Sequence, residues 1–316
     1  MAWSPRMAAD LLPETHSPRL RGLIHEARKA NRVPLAIVWP LDGPSLRAAL
    51  DAARLGLIEP VLCGSRNRLQ TLAASEGIDL SPAELVDASS SGEAAAAAVD
   101  CAVRGRVAAI MKGTAHTDEV MHAVVAAPQL HTARRMSHVM VADVATYHKL
   151  MFITDAAVNI APDLEAKRDI VQNAIDLAVK VGVETPKVAI LAAVETVSPH
   201  LPATVDAASL CKMADRRQIT GGILDGPLAF DDAISRTAAD GKAIVSAVAG
   251  DADIFVVPDL EAGNMLFKEL EYVAGAECAG VVAGARIPIV LTGRADGEFS
   301  RIASIALGVL SCGTRA

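Results

Sequence analysis

From residue 17 onward, apolar runs of strand length alternate with longer stretches of helical spacing, and this alternation constrains the fold most strongly. Strand-length runs occur at residues 33–39, 60–63 and 107–111, then at 139–144, 150–154, 187–192, 222–224, 254–257, 280–282 and 289–291. Between them lie predicted helices at 17–31, 44–55, 65–76, 92–104, 163–181, 204–215, 231–239, 261–274 and 299–310. The first opens on Ser17-Pro18, a cap followed by a residue whose missing N–H costs a helix nothing at its first position. Strands separated by helices pair in parallel, so the expected class is α/β with mainly parallel, doubly wound sheets. Hydrophobic residues make up 52% of the chain and aromatics only 3%, so Ala, Val, Leu and Ile must fill the core. At 316 residues the chain exceeds one ordinary core, and two α/β domains are expected.

The net charge of −7 disfavours a general nucleic-acid binder, which needs a basic face. Cys63, Cys101, Cys211, Cys278 and Cys312 are odd in number and form neither a CxxC pair nor a Cys/His cluster. They read as free thiols of a cytoplasmic protein, with no disulfide frame and no metal site. No apolar stretch reaches membrane-spanning length, and the first residues, broken by Pro5, Pro13 and Pro18, lack the apolar core of a secretion signal.

Ligands of open α/β sheets bind beyond the carboxyl ends of strands, so polar residues just after apolar runs are the site candidates. Lys112-Gly113-Thr114 follows one such run, with Thr117 at the start of the next helix. Lys supplies charge, Gly permits close backbone approach, and a helix N-terminus attracts an anion; the set suits a phosphate. The plain structural alternative is a solvated Lys and an ordinary helix cap. A second cluster holds Ser137, next to His138, then Asp155 and Asn159. Neighbours in a strand face opposite ways, so Ser137 and His138 cannot form a hydrolytic dyad, and no GxSxG elbow is present. The third cluster, Thr292-Gly293-Arg294-Ala295-Asp296-Gly297-Glu298, follows the last strand; an Arg fork there suits a phosphoryl group, and a surface ion pair in a turn is the alternative. Neither a P-loop nor a dinucleotide fingerprint occurs.

Seven segments in order carry a resemblance: MKGTAHTDEV from Met111, RRMSHVMV from Arg134, FITDAAVNIAPDLEAKRDIVQNA from Phe152, PKVAILAAVE from Pro186, GILDGPLAFDDAIS from Gly222, VAGDADIFVVPDLEAGNMLFK from Val248 and IPIVLTGRADGEFSRIASIAL from Ile287. The chain resembles the phosphate acetyl/butyryl transferase family, with a spelling nearer its butyryl branch and the acetyltransferase-like halves of larger hydratase fusions than its main acetyl branch. The resemblance implies a two-domain fold like isocitrate and isopropylmalate dehydrogenases, with the active site in the interdomain cleft. It implies a discontinuous first domain (1–134 with 286–316) around a second at 135–285. It also implies a homodimer that transfers a short acyl group between coenzyme A and phosphate, without metal or cofactor. The expected site is Arg294 and Asp296 as catalytic residues, with Lys112, Thr114, Thr117, Ser137, Asp155, Asn159, Thr292 and Gly293 binding substrate and Glu298 as a second base candidate. Three positions depart from the family pattern: Gly293 stands for a Ser, Ser300 for an acid, and His122 for an Arg. The rival readings are a coenzyme A-binding protein without activity and a dehydrogenase on the same fold.

Overall fold

The computed structural model describes residues 12, 15, 17–293 and 296–312. The chain divides into two compact units, Met1–Ala133 with Ala279–Ala316, and Arg134–Cys278. The second junction falls inside a strand, Glu277–Ala283, where the resemblance implied 285/286.

The first unit runs α1 (Pro18–Ala27), β1 (Val33–Val38), α2 (Gly43–Arg54), β2 (Ile58–Gly64), α3 (Arg66–Glu76), β3 (Glu84–Asp87), α4 (Ser91–Val103), β4 (Ala109–Lys112) and α5 (Thr117–Val125). Ser17 Oγ caps α1 by accepting from the Leu20 N–H at 3.3 Å, with Pro18 at the first helical position, as the sequence predicts. The short half-exposed strand β3 has no apolar run to announce it. In α4, Ala94, Ala95, Ala98 and Ala102 are buried, and their small side chains let the helix approach β1 and β2 closely. The chain re-enters this unit through β10 (Glu277–Ala283), then β11 (Ile289–Val290) and α11 (Glu298–Ser311). The strand order is β3-β2-β1-β4-β11-β10; all neighbours are parallel except the β11/β10 pair. Helices α1 and α2 pack with α11, while α4 packs with α5.

The second unit contains β5 (Ser137–Asp143), β6 (Met151–Thr154), α6 (Leu164–Lys180), β7 (Lys187–Leu191), α7 (Pro202–Asp215), β8 (Ile223–Leu228), α8 (Phe230–Ile234), α9 (Arg236–Gly241), β9 (Ile254–Val256) and α10 (Leu260–Tyr272). Its order is β5-β6-β9-β7-β8, parallel from β6 to β8 and antiparallel at β5/β6. Two expectations change here. The strand predicted at 222–224 continues through Pro227 to Leu228, because β8 ends this unit's sheet and a missing N–H is harmless on an edge. The helix predicted at 231–239 is two helices, because Ser235 leaves helical geometry and caps α9 by accepting from the Ala238 N–H at 3.2 Å.

Beside α8, Lys242 Nζ meets Glu195 Oε1 at 2.7 Å, Asp232 Oδ2 at 2.9 Å and Asp231 Oδ2 at 3.2 Å. Asp232 is fully buried, and its Oδ1 receives no hydrogen bond. Burial, joined by the bond to Glu195, pushes Asp232 above the usual carboxylate range, while Lys242 and Asp232 hold Glu195 below it. Of the two carboxyls, Asp232 therefore keeps its proton to higher pH than Glu195 does. A carboxyl group with a raised folded pKa holds more protons folded than unfolded, so its stabilising contribution falls as pH rises from its unfolded value near 4 to its folded one. Asp232→Asn removes this titration. Its melting temperature relative to the parent should improve steadily above about pH 4 and then level off. A pH-independent difference in melting would contradict the raised Asp232 carboxyl.

Candidate active site

Strand register creates the site. Val38 pairs with Lys112, and Val290 pairs with Met111, so β1, β4 and β11 end nearly level. Thr292 thereby arrives beside Lys112 across a sequence separation of 180, its Oγ1 lying 3.5 Å from the Lys112 carbonyl oxygen. The chain leaves β4 as tightly as it leaves β1: Gly113 N–H donates to Val38 O at 2.9 Å and Thr114 N–H to Trp39 O at 3.0 Å. A Cβ on Gly113 would stand 2.6 Å from Val38 O and 2.9 Å from the Pro40 backbone, so only glycine fits there.

Beyond these strand ends opens a cavity of about 350 Å³ lined by Lys112, Ala115, His116, Thr117, Asp118, Thr292 and Gly293. Lys112 is buried, with its ammonium 3.3 Å from Gly113 O. Helix α5 starts at Thr117, and its first-turn N–H groups, which helical geometry leaves without intrahelical acceptors, stand at the cavity wall. Glu119 fixes this start by accepting from the His116 N–H at 2.9 Å and from Ser91 Oγ at 2.8 Å. One ammonium, a helix N-terminus and two hydroxyls make the cavity suited to an anion.

Of the residues expected from the sequence, Lys112, Thr117, Thr292 and Gly293 meet here. Thr114 stands just behind them, its hydroxyl donating to Trp39 O at 2.6 Å. Asp296 Oδ2 accepts from the Gly293 N–H at 2.7 Å, so this carboxylate closes the turn after β11. Arg294 lies outside the described residues. Burial, reinforced by the Asp51 carboxyl beside it, pushes Glu298 above its usual range. His116 and Asp118 were missed by sequence reasoning; their only signal was the distance of a few residues from Lys112.

Arg301 was missed as well. It is 2% exposed, the largest fully buried side chain among the described residues, on the apolar face of α11. Its guanidinium donates to Thr292 Oγ1 at 3.1 Å, Ser45 Oγ at 3.3 Å, and the carbonyls of Gly293 and Asp296 at 3.2 Å each. A charged residue interrupting the run FSRIASIAL was the available signal.

Ser137, Asp155 and Asn159 come together in the second unit. Asp155 Oδ1 accepts from the N–H groups of Ala157 at 2.9 Å and Val158 at 3.0 Å. Its Oδ2 accepts from Asn159 N–H at 3.1 Å and Asn159 Nδ2 at 2.6 Å. Asn159 Nδ2 also donates to Met136 O at 2.8 Å, and Asn173 Nδ2 donates to Arg135 O and Ser137 Oγ at 2.9 Å each. This buried network shapes the turns around the starts of β5 and α6. His138 is buried next to Ser137. Desolvation pushes the Cys63 and Cys211 thiols up to about 12, which keeps both protonated and unsuited to nucleophilic attack.

The turn at Gly293 bears on one departure from the family pattern. A Cβ on Gly293 would overlap Asp296 Oδ1, the carboxylate that closes the turn. Gly293 is exposed and the atom it would meet ends a side chain that can swing aside, so Gly293→Ser is expected to cost no more than about 1 kcal/mol, the weight of the lost bond from the Gly293 N–H to Asp296. A loss of more than about 3 kcal/mol in melting experiments on Gly293→Ser would show that the Asp296 carboxylate cannot move aside.

The chain matches the phosphate acetyl/butaryl transferase family over residues 91–309. It is 53% identical over 294 residues to a phosphate acetyltransferase of Rhizobium meliloti, covering 93% of each chain. It is 37% identical over 294 residues to a phosphate butyryltransferase of Clostridium acetobutylicum, covering 93% of this chain and 98% of that one. A branched-chain phosphotransacylase from Enterococcus faecalis V583 superposes with a TM-score of 0.78 at 26% identity, covering 90% of this chain and all of that one. The fold alone is shared with 4-hydroxythreonine-4-phosphate dehydrogenase from Klebsiella pneumoniae, at a TM-score of 0.53 and 14% identity over 90% of this chain and 100% of that one. The chain belongs to the phosphate acetyl/butaryl transferase family. Its identity is higher to this acetyltransferase than to this butyryltransferase. Among the described residues no helix is long and apolar enough to cross a membrane.

Proposed function

We propose that this protein catalyses reversible transfer of a short acyl group, acetyl first, between coenzyme A and inorganic phosphate. The observation that carries the reading is the anion-suited cavity of Lys112, Thr117 and Thr292, in a chain of this family. Lys112, the first turn of α5 and Thr292 hold the phosphoryl group of the acyl phosphate. The thiolate of coenzyme A attacks the carbonyl carbon; a C–S bond forms, and the C–O bond to phosphorus breaks with its electron pair on phosphate. The thiol proton ends on the released phosphate. His116 and Asp118 are the proton acceptors that line the cavity. Lys112 and the helix N-terminus stabilise the negative charge that shifts onto the leaving phosphate. Arg294 joins them on the resemblance, as an Arg fork for phosphoryl oxygens.

The reaction needs no metal or cofactor in this reading, and the protein works as a cytoplasmic homodimer, as its resemblance to the family implies. Thiol consumption is to be measured with acetyl, propionyl and butyryl phosphate, each with and without a chelator. Acetyl phosphate should be consumed fastest and chelator should leave the rate unchanged. Absence of thiol consumption with all three, in folded protein that binds coenzyme A, would reduce the chain to a binding protein.

A further inference from the structure

We propose that Arg301 is a positioning residue for the phosphate side of this reaction: it turns the Thr292 hydroxyl into a donor aimed at the cavity. A Thr hydroxyl has one proton and two lone pairs. Arg301 Nη1 donates into the hydroxyl oxygen at 3.1 Å, so the Thr292 proton must point away from the guanidinium. The protein acceptor on the other side, Lys112 O, stands 3.5 Å away, too far for a good hydrogen bond. The proton is thus left for a ligand in the cavity that Thr292 lines.

The same guanidinium holds the turn in place. It grips the carbonyls of Gly293 and Asp296 and is anchored to α2 through Ser45 Oγ. Arg301 is nearly inaccessible to solvent, so it acts without touching substrate. Its fixed charge adds to the positive field that Lys112 supplies, in surroundings where such charge is weakly screened. A hydroxyl set as donor and backed by a buried cation favours a phosphoryl oxygen over any group that must itself donate.

The inference rests on the acyl-transfer reading for its meaning, but its test is read on phosphate binding and does not need turnover. Thr292→Val, Arg301→Gln, Arg301→Lys and the Thr292→Val/Arg301→Gln pair are compared with the parent. Calorimetry gives the dissociation constant for inorganic phosphate, and kinetics give KM for acetyl phosphate and coenzyme A separately. Thr292→Val and Arg301→Gln should each weaken phosphate binding about tenfold, the weight of one charge-assisted hydrogen bond. The double variant should be no more than about threefold worse than the weaker-binding single one, because both changes remove the same donor. Arg301→Lys, which keeps the charge and one donor, should recover part of the loss, and KM for coenzyme A should stay near the parent's. Effects that multiply to about a hundredfold in the double variant would overturn the proposal. So would equal damage to both Michaelis constants, or failure of both Arg301 variants to fold, since either marks a purely structural residue. A parent that binds phosphate without consuming coenzyme A would remove the acyl-transfer reading and leave the coupling measurable. A parent that binds no phosphate would overturn both.

Discussion

Lys112→Met should lower kcat/KM for acetyl phosphate by about a hundredfold to a thousandfold while the protein stays folded. Lys112 ends β4, only 4% exposed, so the sheet fixes its backbone and its stem is packed. Met fills a similar volume and keeps the unbranched stem, so the change removes charge and little else. A buried ammonium contacting a phosphoryl oxygen acts where water screens it poorly. Loss of about 3–4 kcal/mol of transition-state binding corresponds to that range of rates. Lys112→Arg keeps the charge with a bulkier, planar head and should recover only part of the loss. Turnover and both Michaelis constants are the measurements, with melting as the control. A folded Lys112→Met enzyme within threefold of the parent would take Lys112 out of the reaction.

Asp155→Ala should lower stability by about 3 kcal/mol, seen as a melting midpoint about 6–12 °C lower for a unit of this size. The carboxylate accepts four hydrogen bonds from Ala157, Val158 and Asn159, and the residue is 2% exposed. Alanine removes the acceptor of all four bonds; the buried Asn159 N–H is costly to leave unpaired, while the N–H groups of Ala157 and Val158 lie where water reaches them. Asp155→Asn should rescue little, because its NH₂ must face one of the two donor pairs. The sequence placed Asp155 among substrate-binding residues; its bonds point to a structural task at the turn after β6. Unchanged melting together with a tenfold rise in KM for acetyl phosphate would reverse that assignment.

The sequence by itself determined whatever depends on neighbours along the chain. Apolar runs marked most strands, Ser17-Pro18 marked the start of α1, and Lys112-Gly113-Thr114 marked a strand end with phosphate chemistry. The ordered segments identified the family, and the match over residues 91–309 agrees. Tertiary structure decided the rest, since the remaining choices depend on groups distant in the chain. Thr292 meets Lys112 only because β11 pairs with β4 in one register. Pro227 sits in a strand only because that strand lies at an edge. Asp155 and Asp296 look alike in sequence as acids after strands, yet the N–H groups that fold back onto each determine what its carboxylate does. Arg301 reads as an interruption of an apolar helix until the carbonyls of Gly293 and Asp296 appear around it. Hydrogen bonds and charge act through space over a few ångströms, and only the folded backbone sets which residues come that close.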